Sequence, residues 1–368
     1  MNSLVVGNLV HRPLRSVISA VAVAIEIIMI LSIAAIMLGM LNGQKVRTTG
    51  IGNDMIAKPG TTSNLMGVSG APASAKIQQV LEGLPHVQVA APVYIQLVAS
   101  GTVENIYGIN FDSFNALRPF TFKEGGPFTS PNEIIIDDVA AASGKVYHVG
   151  DVMRVLGRDF RISGIVEHGK GGRKFLPLET MNAINGTENR CSVFYLKTDN
   201  SPQWQAAVKG EIKGTDGLQQ WDVQTLDEFL SMLTPERYPG FNIGLRVVIG
   251  IALVIGFIVI FQSMYTAVME RTREIGILKS LGASKAYIVG LVLRESGLLA
   301  VVGITVGILA TYLLRAFLHF RFPQLEFAVT ARWVMSAVLL ALIGSTLGAL
   351  YPAMKAAGKD PIEALAYE

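Results

Sequence analysis

The stretch Glu270–Lys285, ERTREIGILKSLGASK, lies between two apolar runs, Ile243–Val268 and Ala286–Phe317. Each run is long enough to cross a bilayer, because a spanning helix needs about 20 mostly apolar residues. The stretch between them is rich in basic residues, and short loops with an excess of Lys and Arg tend to stay in the cytoplasm. We therefore predict two membrane helices, residues 243–268 and 286–317, joined by a cytoplasmic loop, residues 269–285.

The middle of this loop has the pattern of a short helix. Ile275, Leu278 and Leu281 recur every three residues, and Gly282 follows where a helix would end. A solvated connector has no need of an apolar face, whereas a helix that docks on a cytoplasmic partner does. The alternative is a loop whose charges only set the topology.

The composition indicates a membrane protein. The chain is 51% hydrophobic and 16% charged, and its mean hydropathy is +0.44. The net charge of +3 is small and the basic residues lie near the ends of apolar runs, which excludes a nucleic-acid-binding surface and indicates topology signals. Cys191 is the sole cysteine, so no intrachain disulfide forms.

Two further apolar runs complete the predicted membrane domain. Residues 17–41 are too long for the apolar core of a signal peptide and predict the first membrane helix, and residues 332–351 predict the fourth. Residues 1–16 predict a cytoplasmic interfacial helix, 318–331 an outer loop and 352–368 a cytoplasmic tail with two lysines.

Glu26 lies near the middle of the first predicted span. An ionisable residue at that depth faces a protein interior or a wet cavity. We expect a protonated carboxyl that is hydrogen-bonded to a neighbouring helix. The alternative is a proton or substrate site.

Residues 42–240 have a different character, with short apolar stretches separated by Gly, Pro, Asn and Asp. Strands are predicted at Val87–Val98, Glu133–Asp137 and Phe160–Val166, and helices at Lys76–Leu84 and Leu226–Leu233. A segment of this length buries its own core. We therefore predict an integral membrane α-helical protein with four transmembrane helices and a large extracytoplasmic α+β domain inserted between helices 1 and 2.

Motifs of catalysis and metal binding are missing from the sequence. The glycine-rich stretch Gly169–Lys174, GKGGRK, lacks the G-x-x-x-x-G-K-[ST] order of a phosphate loop, and that order occurs nowhere else in the chain. His86, His148 and His168 have no metal-ligand spacing. We predict no catalytic residues and no metal site.

Seven segments carry a resemblance to a known family. Met269–Ser284, MERTREIGILKSLGAS, resembles the signature loop of the FtsX/MacB-type ABC transporter permeases. Tyr351–Glu368 is similar to that family's C-terminal ending, and Asn8–Ser19 is similar to its entry into the first membrane helix. Four stretches resemble its periplasmic core domain, in a compact form: Ile51–Gly60, Ile106–Asn110, Phe160–Glu167 and Phe175–Ile184.

The resemblance implies a permease without its own ATPase site that works as a dimer, with a second copy or a paralogue, in a bacterial cytoplasmic membrane. ATP and Mg would be bound by a separate ABC ATPase subunit, and this chain would hold no cofactor. The loop would be the coupling element that rests on the ATPase and moves the extracytoplasmic domain (mechanotransmission) to drive efflux. Its candidate residues are Arg273, Glu274, Ile275, Gly276, Leu278, Lys279, Leu281 and Gly282.

Alternatives remain open at this point. An FtsX-like regulator of an envelope enzyme such as a cell-wall hydrolase would have the same membrane domain. A membrane-anchored enzyme would need a catalytic constellation, and none is visible. The sequence leaves open the substrate and the participation of a periplasmic adaptor and an outer-membrane channel.

Overall fold

The computed structural model describes residues 13–60, 72–100, 102–143, 145–199, 201–235, 237, 241–322 and 325–360. The chain folds into two compact units. The membrane unit contains Met1–Gly39, Gly240–Arg321 and Phe327–Glu368, and the sheet unit contains Met40–Pro239 and Phe322–Glu326. The predicted interfacial helix at residues 1–16 lies mostly outside the described residues, as does the end of the tail, residues 361–368.

Within the described residues, four helices are long and apolar enough to cross a membrane, as predicted. They are α1 (Pro13–Ile51), α8 (Phe241–Glu270), α10 (Lys285–Arg321) and α11 (Ala331–Gly358). Each runs past the predicted span at one end or both. Hydropathy marks only the apolar part of a helix, whereas the helix itself continues until a stop signal such as Gly52, which follows α1 with a φ of +85°.

Small residues allow the membrane helices to approach closely. Gly303 and Gly307 of α10 lie against α1, beside Val23 and Ile27 respectively. Gly348 of α11 lies against α8, beside Ile260. The glycines of α10 and α11 therefore serve two different contacts, and a buried apolar cluster has members from all four helices.

The sheet unit is built on a ten-stranded sheet with the order β12-β1-β11-β3-β4-β9-β6-β8-β5, in which β7 pairs with β8. Its pairings are antiparallel except for β4 with β9 and β6 with β8. The strands are β1 (Met55–Lys58), β3 (Val87–Ser100), β4 (Thr102–Ile109), β5 (Phe122–Gly125), β6 (Glu133–Asp137), β7 (Val152–Val155), β8 (Arg158–Val166), β9 (Lys174–Pro177), β11 (Val193–Thr198) and β12 (Asp222–Thr225). A separate two-stranded sheet joins β2 (Ala73–Ser74) to β10 (Arg190–Cys191).

Short helices pack against this sheet and make the unit α+β, as predicted. They are α2 (Ile77–Glu82), α3 (Phe111–Leu117), α4 (Asp138–Ala141), α5 (Leu178–Ile184), α6 (Pro202–Gly214) and α7 (Leu226–Met232). Fully buried aromatic side chains, including Phe114, Phe160, Phe175 and Phe194, fill the core. The three predicted strands and two predicted helices are all present, within one or two residues of the predicted ends.

Candidate functional site

The loop between α8 and α10 contains the short helix α9 (Thr272–Ser280). It ends in a Schellman motif, in which the N–H of Gly282 donates to the carbonyl of Lys279 at 3.0 Å and the N–H of Ala283 donates to the carbonyl of Leu278 at 3.0 Å. Gly282 has a φ of +95°, a conformation that glycine adopts without strain. Ser284 then caps α10, because its Oγ accepts the N–H of Tyr287 at 3.2 Å. The predicted turn at Gly282 is therefore present.

The inner side of α9 packs into the membrane unit. Ile275 is only 7% exposed and belongs to the apolar cluster formed by the long helices, and Leu278 packs against that cluster. Gly276 is also buried. These residues fix α9 to its own chain.

Two polar contacts hold the ends of α9. Arg271, the residue before α9, pairs with Glu295 of α10 at 3.2 Å, and their side chains are 12% and 7% exposed. Lys279 donates to the carbonyls of Ala357, at 3.0 Å, and Lys359 at the end of α11. A helix C-terminus has carbonyls without intrahelical partners and a partial negative charge, so a lysine there satisfies both.

The outer side of α9 is exposed. It carries Arg273, Glu274, Ile277 and Leu281, of which Ile277 is 45% and Leu281 is 80% exposed. The three residues of the predicted apolar face therefore differ in exposure: Ile275 is buried in the chain's own core, Leu278 is partly buried against it, and Leu281 is exposed. Lys279, another of the candidate coupling residues, contacts the end of α11.

Sequence reasoning missed three residues of this site. Ile277 lies one residue outside the period that was counted. Glu295 is a carboxylate inside the apolar run 286–317, and an ionisable residue in such a run indicates a buried partner. That partner is Arg271, whose charge, with those of the other basic residues of the loop, was used only to predict that the loop is cytoplasmic.

A cavity of about 280 Å³ lies between α8, α9 and α10. Its lining is apolar apart from Arg271, Glu274 and Glu295, and it includes Ile275 and Leu278. The lining also includes Ile277, so the cavity adjoins the buried Ile275 and the exposed Ile277 of α9 alike.

Glu26 is buried in the membrane unit, with 4% exposure. It lies against α8, where a Cβ on Gly256 would be 2.1 Å from Glu26 Oε2. It faces the protein interior, as expected. The expected hydrogen bond to a neighbouring helix is not seen for Oε1, which has no partner among the described residues. Among those residues, no group of three or more His, Cys, Asp or Glu side chains could hold a metal ion.

Two protein-family models match the chain, one over most of the sheet unit and one over most of the membrane unit. The model of the MacB-like periplasmic core domain matches residues 16–213, and that of the FtsX-like permease C-terminal matches residues 246–361. The uncharacterized ABC transporter permease YknZ of Bacillus subtilis (strain 168) is 25% identical over 99% of this chain and 98% of its own length.

Two further similarities cover parts of the molecule. The macrolide export ATP-binding/permease protein MacB of Escherichia coli (strain K12) is 26% identical over 71% of this chain, which spans 43% of that protein's length. A crystal structure of the periplasmic region of MacB from Actinobacillus actinomycetemcomitans covers 50% of this chain and 94% of its own, with 18% identity and a TM-score of 0.40.

The two family models together cover most of the sheet unit and most of the four membrane helices, and leave residues 214–245 unmatched. The relatives named above that match most of this chain are permeases or permease parts of ABC transporters. The chain is therefore a membrane protein that belongs to the MacB/FtsX family of ABC transporter permeases.

Proposed function

We propose that this chain is the permease subunit of an ABC transporter in a bacterial cytoplasmic membrane, with both termini in the cytoplasm. In this proposal a separate ATPase subunit binds ATP and Mg and hydrolyses the ATP. The chain pairs with a second permease, and the hydrolysis drives movement of the sheet unit on the outer side of the membrane. That movement exports or extracts a substrate.

One observation carries this proposal: α9 is fastened on its inner side and presents two exposed apolar residues, Ile277 and Leu281, on its outer side. Ile275 and Leu278 anchor it in the membrane unit, and Lys279 joins it to the end of α11. A push on the exposed pair Ile277 and Leu281 is therefore delivered to the long helices and is not absorbed by a loose loop. Apolar residues one helical turn apart are the anchors that a groove on a partner receives.

The charges around this helix favour a cytoplasmic location. Arg271, Arg273, Lys279 and Lys285 lie within one short loop, and such loops remain on the cytoplasmic side during insertion. The ATPase subunits of ABC transporters also work there, so the exposed face of α9 and its proposed partner share one compartment. Arg273 and Glu274 at the edge of the apolar pair would set orientation more than affinity.

The substrate class follows from relatives only by analogy. The E. coli relative is named for macrolide export, which supports export as the task of this chain ahead of regulation of an envelope enzyme. A transport assay on the complex with its ATPase, in membranes or vesicles, decides between the two. Export that depends on ATP supports the proposal, and recruitment of a hydrolase without transport supports regulation.

The docking face is tested by truncating Leu281. Full burial of a leucine is worth about 2 kcal/mol, and Leu281 has most of its side chain available. Leu281→Ala should therefore weaken binding of the ATPase subunit about 30-fold and lower permease-dependent ATP hydrolysis, without changing the thermal stability of the permease. Ile277→Ala should cause about half that loss in free energy, because about half of its side chain is already buried.

Two control variants separate docking from folding. Val152→Ala truncates a side chain that is 60% exposed in the sheet unit and should leave ATPase binding unchanged. Leu278→Ala should lower thermal stability, because Leu278 packs on the chain's own core. If Leu281→Ala and Ile277→Ala bind and stimulate the ATPase as the parent does, α9 is not the coupling element.

A further inference from the structure

The glycine-rich loop Gly169–Lys174, which the sequence excluded as a phosphate loop, holds the last turns of α1 within the sheet unit. The N–H of Gly171 donates to the carbonyl of Arg47 at 2.8 Å. Gly50 approaches the loop so closely that a Cβ there would lie 1.7 Å from the carbonyl oxygen of Gly169. Gly169 and Gly171 have φ angles of +104° and +69°, so both the loop conformation and the approach require glycine.

Lys170 fixes the same loop to the core of the sheet unit. It is 7% exposed, and its Nζ donates to the carbonyls of Phe114, at 3.3 Å, and Arg118. The Nζ also lies 3.9 Å from the ring centroid of Phe120 and 4.8 Å from that of Phe114. The carbonyls and aromatic faces favour the ammonium form, but burial lowers the pKa of Lys170 to about 7. The loop is therefore held on the core side as well as on the α1 side.

Glu326 adds a second fastening from another part of the chain. It lies between the end of α10 and the start of α11, and its Oε1 is 3.0 Å from Arg47 Nη1 and 3.9 Å from Arg173 Nη2. Arg173 Nη1 is in turn 3.7 Å from Asp137 Oδ2, and Asp137 is 2% exposed. Asp137 also caps α4 by accepting the N–H of Ala140 at 2.6 Å. Ionic contacts therefore connect Arg47 of α1, through Glu326 and Arg173, to Asp137 at the end of β6.

The carboxylate of Glu326 fits against α1 because residue 43 is a glycine. A Cβ on Gly43 would lie 2.2 Å from Glu326 Oε1, so the carboxylate occupies the space that a side chain would fill. These contacts are partly buried, with side-chain exposures of 36% for Glu326, 24% for Arg47 and 14% for Arg173. Partial burial reduces the screening of the charges by solvent.

We propose that the loop Gly169–Lys174, Arg47 and Glu326, all within the sheet unit, form a joint on which the two stretches of chain that lead from the membrane helices act when those helices move. Two separate stretches of chain enter this joint, α1 at Arg47 and the α10–α11 connection at Glu326. Because both are bound to one loop, they do not shift independently of each other within the sheet unit. The transmitting role rests on the proposed function, whereas the joint itself does not.

The first experiment measures amide hydrogen exchange of the full-length permease alone, in lipid nanodiscs. The reporter is the peptide that covers Gly169–Lys174, because the Gly171 N–H exchanges only when its bond to Arg47 opens. Glu326→Gln removes the charge at constant shape, and Gly43→Ala displaces the carboxylate at constant charge. Each should speed exchange in this peptide about tenfold.

Matched controls have the same substitutions at sites outside the joint. Glu188→Gln changes an exposed glutamate, and Gly210→Ala adds a Cβ in α6 where nothing lies within 4 Å. Both should leave the exchange of Gly169–Lys174 at the parental rate. Parental exchange in both Glu326→Gln and Gly43→Ala would overturn the joint.

The second experiment uses the complex with the ATPase subunit and compares exchange in the sheet unit with and without ATP. The parent should show an ATP-dependent difference, which Glu326→Gln and Gly43→Ala should reduce while the rate of ATP hydrolysis is kept. A full parental difference in both variants would overturn the transmitting role. If the parent shows no ATP-dependent difference, the proposed function and the transmitting role are both overturned. The first experiment alone then tests whether the joint exists.

Discussion

Gly307 of α10 is the position at which adding a single methyl group should test the packing of the membrane unit most directly. A Cβ on Gly307 would lie 2.8 Å from the Cβ of Ile27 and 2.9 Å from the carbonyl oxygen of Ala24, both in α1. Neither atom can rotate away, because one is backbone and the other is bonded to it. Gly307→Ala therefore requires α1 and α10 to separate, and Gly303→Ala requires the same, since its Cβ would lie 2.6 Å from the carbonyl oxygen of Ala20.

The expected cost follows from these distances. Ordinary carbon contacts lie at about 3.5–4.0 Å, so the helices must shift by several tenths of an ångström and lose neighbouring contacts. Overpacking of this kind costs about 2 kcal/mol. In a bilayer these lost contacts lower the stability of the helix pair directly, because van der Waals packing is a principal attraction between membrane helices.

Gly297→Ala is the matched control. It lies in the same helix, and a Cβ there would meet nothing within 4 Å. Both substitutions carry the same gain in helix propensity, about 1 kcal/mol, which cancels when the two variants are compared. Unfolding of the purified permease by denaturing detergent should therefore show Gly307→Ala about 2 kcal/mol less stable than Gly297→Ala. Equal stability of the two variants would refute the reasoning.

Three further predictions concern buried carboxyl groups. Gly256→Ala should destabilise the parent, because its Cβ would lie 2.1 Å from Glu26 Oε2, but should have little effect in a Glu26→Ala background, and additive losses of stability in the double variant would contradict this contact. Glu26→Gln should preserve folding and transport, and a well-folded but inactive Glu26→Gln protein would indicate a proton or substrate role. Burial raises the pKa of Asp137 to about 6, against an ordinary value of 3.8, so the folded state binds the proton more tightly and the free energy of unfolding should fall as the pH rises from about 4 to 6. Asp137→Asn keeps an oxygen for the cap of α4 and should flatten that slope, as measured by thermal unfolding against pH.

Local patterns predicted the elements of the sheet unit well. Glu133–Asp137 was recognisable as a short apolar stretch bounded by turn residues, which act within a few positions. The start of the helix at Leu226 is also fixed locally, because Thr225 and Glu228 form a capping box there. The order of strands could not be predicted, because it depends on pairings such as β4 with β9, which brings Ile106 beside Lys174 from distant parts of the chain.

The ends of the membrane helices were predicted less well than their centres. Residues after Leu41 are polar, so hydropathy stops there, but they remain helical to Ile51. Pro352 suggested the end of the fourth span, yet α11 continues to Gly358. Pro352 and Ala353 are buried, so tertiary packing holds the last turns of this helix despite the backbone hydrogen bond that a proline cannot make.

The face of α9 shows what a sequence period can predict and what it cannot. The period of Ile275, Leu278 and Leu281 indicates one apolar side but not what covers it. Lys279 contacts the end of α11, so that edge of α9 lies toward the chain's own helices. Ile275 is buried, Leu278 is partly buried against the same cluster, and Ile277 and Leu281 are exposed. Since Lys279 and Ala357 are far apart in sequence, the packing of the long helices decides which side of α9 stays exposed, and a local pattern cannot show it.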